Sequence, residues 1–426
     1  MTNTSRANSV PEPDFALASR LFDTLDKHTR DGVGITRASF GTGEQFAHDL
    51  MTETARQLGL DVSHDAIGNL YVTLKGRSPG ARTFLIASHL DSVPQGGNFD
   101  GAAGVIAGMA IVCAWKKAQF KPVNNITVMA IRAEESTWFP YSYIGSKGAL
   151  GLLPASALEI PRADTGRTLA DHINELGFDS ASVRKGVSRW KTSDLRGYAE
   201  LHIEQGPVLI GEDLPLALVT GIRGSFRYRD AKIIGEYAHS GAVPRAYRHD
   251  AVVAAADFVT QLDTKWQRLE EEGHDLTVTI GMLFTDPQQH AFSKIAGEVG
   301  ICIDVRSHSK PTLAVVTATI DALASQIASK YGVRFELGPL TGSEPAAMDQ
   351  DLVERFDAAA KALGIPHTRM ASGAGHDAAT FASAGIAALM IFVRNQNGSH
   401  NPDEAMRMED FELAVRVLAR GVADLD

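Results

Sequence analysis

Six side chains are of types that hold borderline divalent metals, and each follows or ends an apolar stretch: His89, Asp100, the pair Glu134-Glu135, His202 and His400. Neutral imidazoles combined with carboxylates suit Zn²⁺, Mn²⁺, Co²⁺ or Ni²⁺. Asp100 has two carboxylate oxygens and could bridge two such ions. Two ions about 3.5–4 Å apart polarise a carbonyl and generate a hydroxide from shared water. Taken singly, each residue has a plainer reading. A lone strand-end histidine is commonly a hydrogen-bonded surface residue, and adjacent glutamates are commonly a solvated pair. The joint pattern is what points to a metal.

These residues need a scaffold that brings distant strand ends together. The apolar run Phe84 to Ala87 predicts a buried strand that ends on His89 and Asp91. A Gly/Pro loop then delivers Asp100, and a small-residue helix follows over 101–117. Glu134-Glu135 follows a strand over 126–131, His202 lies on a strand over 198–203, and His400 follows a strand over 387–393. An α/β sheet gathers functional groups at the C-terminal ends of its strands, so an α/β fold is expected. Helix-like spacing of apolar residues marks 14–27 and 43–60. Between 222 and 335 the rhythm becomes β-α-β-β-α-β, the order of a ferredoxin-like unit. The expected organisation is therefore a metal-binding α/β domain, 1–221 and 336–426, interrupted by an inserted α+β domain, 222–335.

Composition restricts the class. Hydrophobic residues make up 44% and charged residues 22%, ordinary for a globular protein. The net charge is −10 and no Lys/Arg-rich run occurs, which argues against nucleic acid or an anionic membrane as partner. Cys113 and Cys302 lie in apolar segments and read as core residues in a reducing compartment. Residues 1–14 carry no apolar core of a signal peptide, and the longest apolar run is the eight residues from Ile386 to Val393. A cytoplasmic protein is expected.

The motifs resemble the M20 metallopeptidase clan. More narrowly they resemble its hydantoinase/carbamoylase branch of N-carbamoyl-L-amino acid hydrolases, β-ureidopropionases and allantoate amidohydrolases. The matching segments are His89-Leu-Asp-Ser-Val, Gly96-Gly-Asn-Phe-Asp-Gly101, Glu134-Glu135, Gly145-Ser146, His202-Ile-Glu-Gln-Gly-Pro207, His239-Ser-Gly, Gly373-Ala-Gly-His-Asp377 and Gly398-Ser-His-Asn-Pro402. The resemblance runs from about Phe15 to Leu418. It implies two divalent ions per subunit, one held by His89, Asp100 and His202, the other by Asp100, Glu135 and His400. It implies Asp91 as the acid that fixes the His89 imidazole, Glu134 as general base and His239 as oxyanion stabiliser. Gln205 would neighbour the substrate head, and Arg306 would grip a carboxylate with its planar guanidinium. The inserted domain would serve as lid and dimerisation domain of a homodimer.

The chain departs from that pattern in two places. Ser293 stands where the branch has a carboxylate-binding Asn, thirteen residues before Arg306. The loop before His400 reads Val393-Arg-Asn-Gln-Asn-Gly398 in place of a Val-Pro-Ser run, with Arg394 and Asn395 either lining the pocket or scaffolding the loop. Arg245 follows Pro244 where the branch often has Met. The expected activity is hydrolysis of a linear ureido or amide C–N bond in a carboxylate-bearing small molecule, such as an N-carbamoyl-L-amino acid. An N-acyl amino acid acylase, a dipeptidase or a hydrolase of an unusual C–N bond is the alternative on the same site. A non-catalytic binding protein is the third reading; all ligand types and the base are present, which speaks against it.

Overall fold

The computed structural model describes residues 10–423 and Leu425. The chain is a mixed α/β protein that divides into two compact units. One comprises the residues up to Thr220 and from Met348 onward, and the other is Gly221–Ala347.

The first unit is built on four adjacent parallel strands, in the order Asn125–Ile131, Thr83–His89, Leu195–Ile203 and Ala388–Val393. Each is buried along nearly its whole length, and all but Leu195–Ile203, which carries Arg196, Glu200 and His202, are largely apolar. That is what parallel strands covered on both faces require. Leu70–Leu74 and Leu216–Ile222 flank them antiparallel. The helix Ala102–Lys117 links two of the parallel strands. It is buried from Ala102 to Trp115 and turns polar only at Lys116 and Lys117. Because the four strands run the same way, His89, Ile131, Ile203 and Val393 finish on one edge of the sheet.

Three departures from the sequence-based expectations stand out. Asp61–His64 is a short edge strand with three exposed residues, so it carries no alternating apolar signal. The stretch between Glu135 and Leu195 holds short helices, Ile144–Ala149, Leu169–Glu175 and Ser180–Arg184. Trp138, Phe139, Leu158 and Ile173 pack there in a core cluster of their own. Helices of five to seven residues are too short to display a period.

The second unit is an antiparallel sheet in the order Thr277–Thr285, Glu298–Ser307, Gly224–Ile234 and Arg334–Glu336. Helices Ala251–Glu271 and Lys310–Tyr331 pack on it through Phe258, Leu262, Val316, Ile320 and Ile327. Lys310–Tyr331 is long and apolar enough to span a membrane by length and composition. Here its apolar stripe is the core of this unit. The unit runs to Ala347 and not to 335, because Leu340–Ser343 pairs with Gly224–Ile234 and Ala346–Ala347 pairs with Ile222 and Gly221. The Gly and Pro residues of 336–347 read as loop and concealed these short pairings.

One buried ion pair fixes the segment that follows Asn125–Ile131. Arg132 donates to Glu44 Oε2 at 2.7 Å, to Gln45 Oε1 at 2.7 Å and to the Gly68 carbonyl at 2.7 Å, and it lies over the rings of Phe40 and Phe178. Glu44 also accepts from the backbone N–H of Ala133 and Phe40. Neither side chain is exposed. Removing one member of such a pair leaves an uncompensated charge. Glu44→Ala is expected to lower the unfolding free energy by about 3–5 kcal/mol, read from the urea midpoint. A loss below about 1 kcal/mol, the level of an exposed pair, would show that the network does not bear on stability.

Candidate metal centre

His89 is the last residue of its strand and is buried. Its Nδ1 lies 3.1 Å from the Asp91 carbonyl oxygen and 3.4 Å from Asp91 Oδ1. A carbonyl oxygen can only accept, so Nδ1 carries the proton and Nε2 is left as a lone pair. His202 is set the same way: its Nδ1–H donates to the Ile203 carbonyl at 2.9 Å, and its Nε2 accepts from Gly101 N at 3.2 Å. Both Nε2 atoms face Asp100 Oδ1, at 3.3 Å for His89 and 3.1 Å for His202. Asp100 Oδ2 lies 3.5 Å from His400 Nε2, which is 3.1 Å from Glu135 Oε1. The ligand atoms of His89, Asp100 and His202 lie within 4.8 Å of one another, as do those of Asp100, Glu135 and His400.

This geometry passes a chemical test for a cation. Two imidazole lone pairs and a carboxylate oxygen are all acceptors, and acceptors do not face one another at such distances without positive charge between them. Protonation is the other way to supply it. Burial opposes charging His89, yet its hydrogen bonds to Asp100 and Asp91 hold its pKa well above the ordinary value. The Asp100 and Glu135 carboxylates push His400 up to about 11. Burial lifts Glu134 well above the usual carboxylate range; His89 opposes this, and Glu135, Asp377 and Asp91 add to it. The cluster is thus rich in buried negative charge, which divalent ions neutralise.

The supporting residues are as specific as the ligands. Asp91 accepts from Glu134 N at 3.1 Å, from Glu135 N at 3.2 Å and from Ser39 Oγ at 2.6 Å. One carboxylate therefore orients the His89 ring and the Glu134-Glu135 backbone together. Arg37 is fully buried and donates to the Leu90 carbonyl and to Asn98 Oδ1, pinning both ends of the loop between His89 and Asp100. His376 stacks edge-on against His202 with centroids 4.5 Å apart. Ser372 donates to the Ala374 carbonyl, so its oxygen accepts from His376 Nε2–H at 3.1 Å. Burial keeps His376 neutral, its pKa well below the ordinary value.

Backbone strain collects at the same place. Ala133, Gln205 and His400 adopt φ of 51°, 63° and 61°, left-handed values that non-glycine residues rarely take. Gly101 has φ 64°, and a Cβ there would lie 2.4 Å from the His89 ring. Only glycine lets the chain turn from Asp100 into the helix beneath the imidazole.

The remaining expected residues divide. Gln205 Nε2 donates to Asp100 Oδ2 at 2.7 Å, and its buried Oε1 has no partner. Arg394 is not directed at a pocket. Its guanidinium forms a two-pronged pair with Asp410 at 2.9 Å and reaches Asp213 at 2.6 Å, so internal carboxylates already occupy its donors. Asn395 Oδ1 accepts from Gln205 N, and its Nδ2 donates to the Gly398 carbonyl, which is loop scaffolding. In the second unit, Ala238–His239 pairs with Lys294–Ile295, and Ser240 N donates to the Ser293 carbonyl, so His239 and Ser293 are neighbours. Arg306 pairs with Asp304 of its own strand at 2.9 Å, and Arg227 approaches the same carboxylate at 3.4 Å. Ser39 and Arg37 lie outside the motifs, because nothing local marks a lone Ser or Arg as the partner of a distant strand end; Ser399 lies within Gly398-Ser-His-Asn-Pro402, but the motif gave it no role.

Comparison with known proteins follows the same lines. An N-carbamoyl-L-amino acid amidohydrolase of Geobacillus stearothermophilus is 34% identical over 415 residues, covering 96% of this chain and 98% of the relative. An allantoate amidohydrolase of Escherichia coli is 30% identical over 85% of each chain. The crystal structure of a hydantoinase/carbamoylase family amidase from Burkholderia multivorans superposes with a TM-score of 0.87 at 26% identity, covering 97% of this chain and 98% of that one. The model of peptidase family M20/M25/M40 matches residues 85–424, and the chain belongs to that family.

Proposed function

We propose that the chain is a metal-dependent amidohydrolase that cleaves a linear ureido or amide C–N bond in a carboxylate-bearing small molecule, with an N-carbamoyl-L-amino acid or related ureido acid as substrate. The carrying observation is Asp100, which offers one oxygen to the His89/His202 pair and the other to His400 beside Glu135. The relatives named for N-carbamoyl-L-amino acids and allantoate support the ureido reading.

In this reading His89, Asp100 and His202 hold one divalent ion (Zn²⁺, Mn²⁺, Co²⁺ or Ni²⁺), and Asp100, Glu135 and His400 hold a second. Bound there, such ions supply Lewis acidity that polarises a carbonyl and acidifies water. Glu134 takes the proton of the attacking water and returns it to the leaving nitrogen as the C–N bond breaks. Its burial suits that task, because a raised pKa brings a carboxylate nearer to neutral pH. The departing amine carries the proton, and the carbamic acid left behind decays to CO₂ and ammonia. Gln205 meets the substrate head through its unpartnered Oε1. His239 Nδ1 accepts from Gly241 N and Ala242 N at 3.1 Å each, which places the ring proton on Nε2. That N–H serves as donor to the carbonyl oxygen as it gains charge. Arg306 receives the substrate carboxylate in exchange for Asp304, with the Ser293 hydroxyl as a shorter donor than the Asn of related enzymes.

Gly221–Ala347 acts as lid and dimerisation unit in this proposal. Thr277–Thr285 is an edge strand whose Met282, Leu283 and Phe284 are exposed, and Phe292 nearby is fully exposed. Such an edge invites pairing with a second copy. A cytoplasmic location is supported by Cys113 and Cys302, both unpaired.

Replacement of Glu134 by Gln is expected to lower kcat by at least about 100-fold with metal content, measured by atomic absorption, unchanged. Near-normal turnover in that variant would remove Glu134 from the role of base. Side-by-side assay of N-carbamoyl, N-acetyl and dipeptide forms of one L-amino acid should show the highest kcat/KM for the carbamoyl form. A higher value for either of the others moves the chain to the acylase or dipeptidase reading. Light scattering should give a dimer for the wild type and a monomer for Phe284→Asp; a monomeric wild type excludes the dimer.

A further inference from the structure

Glu404 is buried and lies outside both ligand sets, four residues past His400. Its Oε1 accepts from Phe99 N at 2.9 Å and from Asp100 N at 3.2 Å. Ser399 Oγ lies 2.7 Å from Glu404 Oε2 and 2.5 Å from Asp100 Oδ2, so its single proton is shared between the two carboxyl groups. One carboxylate thus holds Asp100 at two points, through its backbone and, by way of Ser399, through the oxygen that faces His400 and Glu135.

Two further observations make the contact selective. Glu404 fills the space over Gly97, where an added Cβ would lie 2.1 Å from Glu404 Cδ and Oε1. The loop from Gln396 to Ala405 is closed by pairing of Asn395 with Met406 and of Gln396 with Ala405, so Glu404 is anchored beside a short ribbon. Elsewhere along the loop Gly96 bonds to Ile35, Arg37 donates to Asn98, Asn98 Nδ2 donates to the Phe22 carbonyl, and the Phe99 and Asp100 carbonyls accept from Ala103 N and Ala102 N. At Phe99 and Asp100 the acceptor for the backbone N–H groups is Glu404.

From this arrangement we infer that Glu404 is a positioning residue for the second metal site: it clamps the Gly96–Asp100 loop and Ser399 so that Asp100 Oδ2 is presented toward His400 and Glu135. The inference rests on the two-ion reading given above. It assigns Glu404 no contact with substrate or ion. Partners that orient ligands without binding the metal commonly change affinity by about 10–100-fold.

The test is titration of the metal-stripped full-length chain with Co²⁺, followed by visible absorption. The wild type is expected to take up two ions in two phases. Glu404→Ala should keep the first phase and weaken the second by about 10–100-fold. Glu404→Gln retains an oxygen for Phe99 N and Asp100 N and should rescue most of that loss. Circular dichroism melts establish that each variant is folded. If Glu404→Ala does not fold, Gly97→Ala decides, because its methyl displaces Glu404 and should reproduce the loss of the second phase. A folded variant, Glu404→Ala or in its place Gly97→Ala, with both phases unchanged overturns the assignment, as does Glu404→Gln behaving like the alanine variant. A wild type that takes up no Co²⁺ refutes the metal reading itself and this inference with it.

Discussion

The structure turns on the cost of placing one carboxylate, Asp100, among other buried acceptors. Its two oxygens face three imidazole nitrogens, and Asp91, Glu134, Glu135 and Glu404 are buried around it. A low-polarity environment makes such a gathering of acceptors unfavourable unless positive charge enters. The raised pKa values of His89 and His400 express that demand in protons, and a bound metal ion would answer it as well. Fold and site meet here, because burial of the sheet core holds together strand ends that carry mutually repelling carboxylates.

Position matters as much as charge. Four parallel strands bring their C-terminal ends to one edge, but strand ends alone would leave the ligand atoms poorly aimed. Alignment comes from carbonyl acceptors on the Nδ1 atoms of His89 and His202 and from Asp91, which ties one ring to the backbone of both glutamates. It also comes from left-handed turns at Ala133, Gln205 and His400. Strained backbone is retained where the surroundings over-determine it, and the Arg132–Glu44 pair beneath Ala133 is such a surrounding.

How far the site could be read in the sequence follows from the range of its interactions. His89, Glu135, His202 and His400 could be singled out because each lies on or follows an apolar run that announces a strand, and Asp100 because the Gly/Pro loop after His89 delivers it. Asp91 was legible as a strand-end acid beside His89, and its supporting role came from the resemblance of the motif. Glu44, Arg37, Ser39 and Arg132 were not, since each acts on residues about 50 to 90 positions away, and residue type alone does not reveal a buried partner. The same applies to the fold. The amphipathic helices show clear periods and the central strands stand out as apolar runs, whereas Asp61–His64, the short helices between 144 and 184 and the pairings after 336 depend on tertiary neighbours.

Arg394 shows why a functional residue type at a suggestive position is weak evidence. An arginine just past a strand end, six residues before His400, has the right chemistry for an anionic substrate. Yet a nearly buried guanidinium must be matched on every folding event, whether substrate is present or not. Asp410, in the first turn of Met408–Ala423, meets that need permanently with two parallel hydrogen bonds. Arg306 differs in degree: it is about a third exposed, and its carboxylate partner Asp304 is shared with Arg227. At Arg394 an incoming carboxylate would have to displace a buried ion pair. What an arginine can do therefore depends less on its place beside a strand end than on how tightly the protein's own carboxylates already hold it.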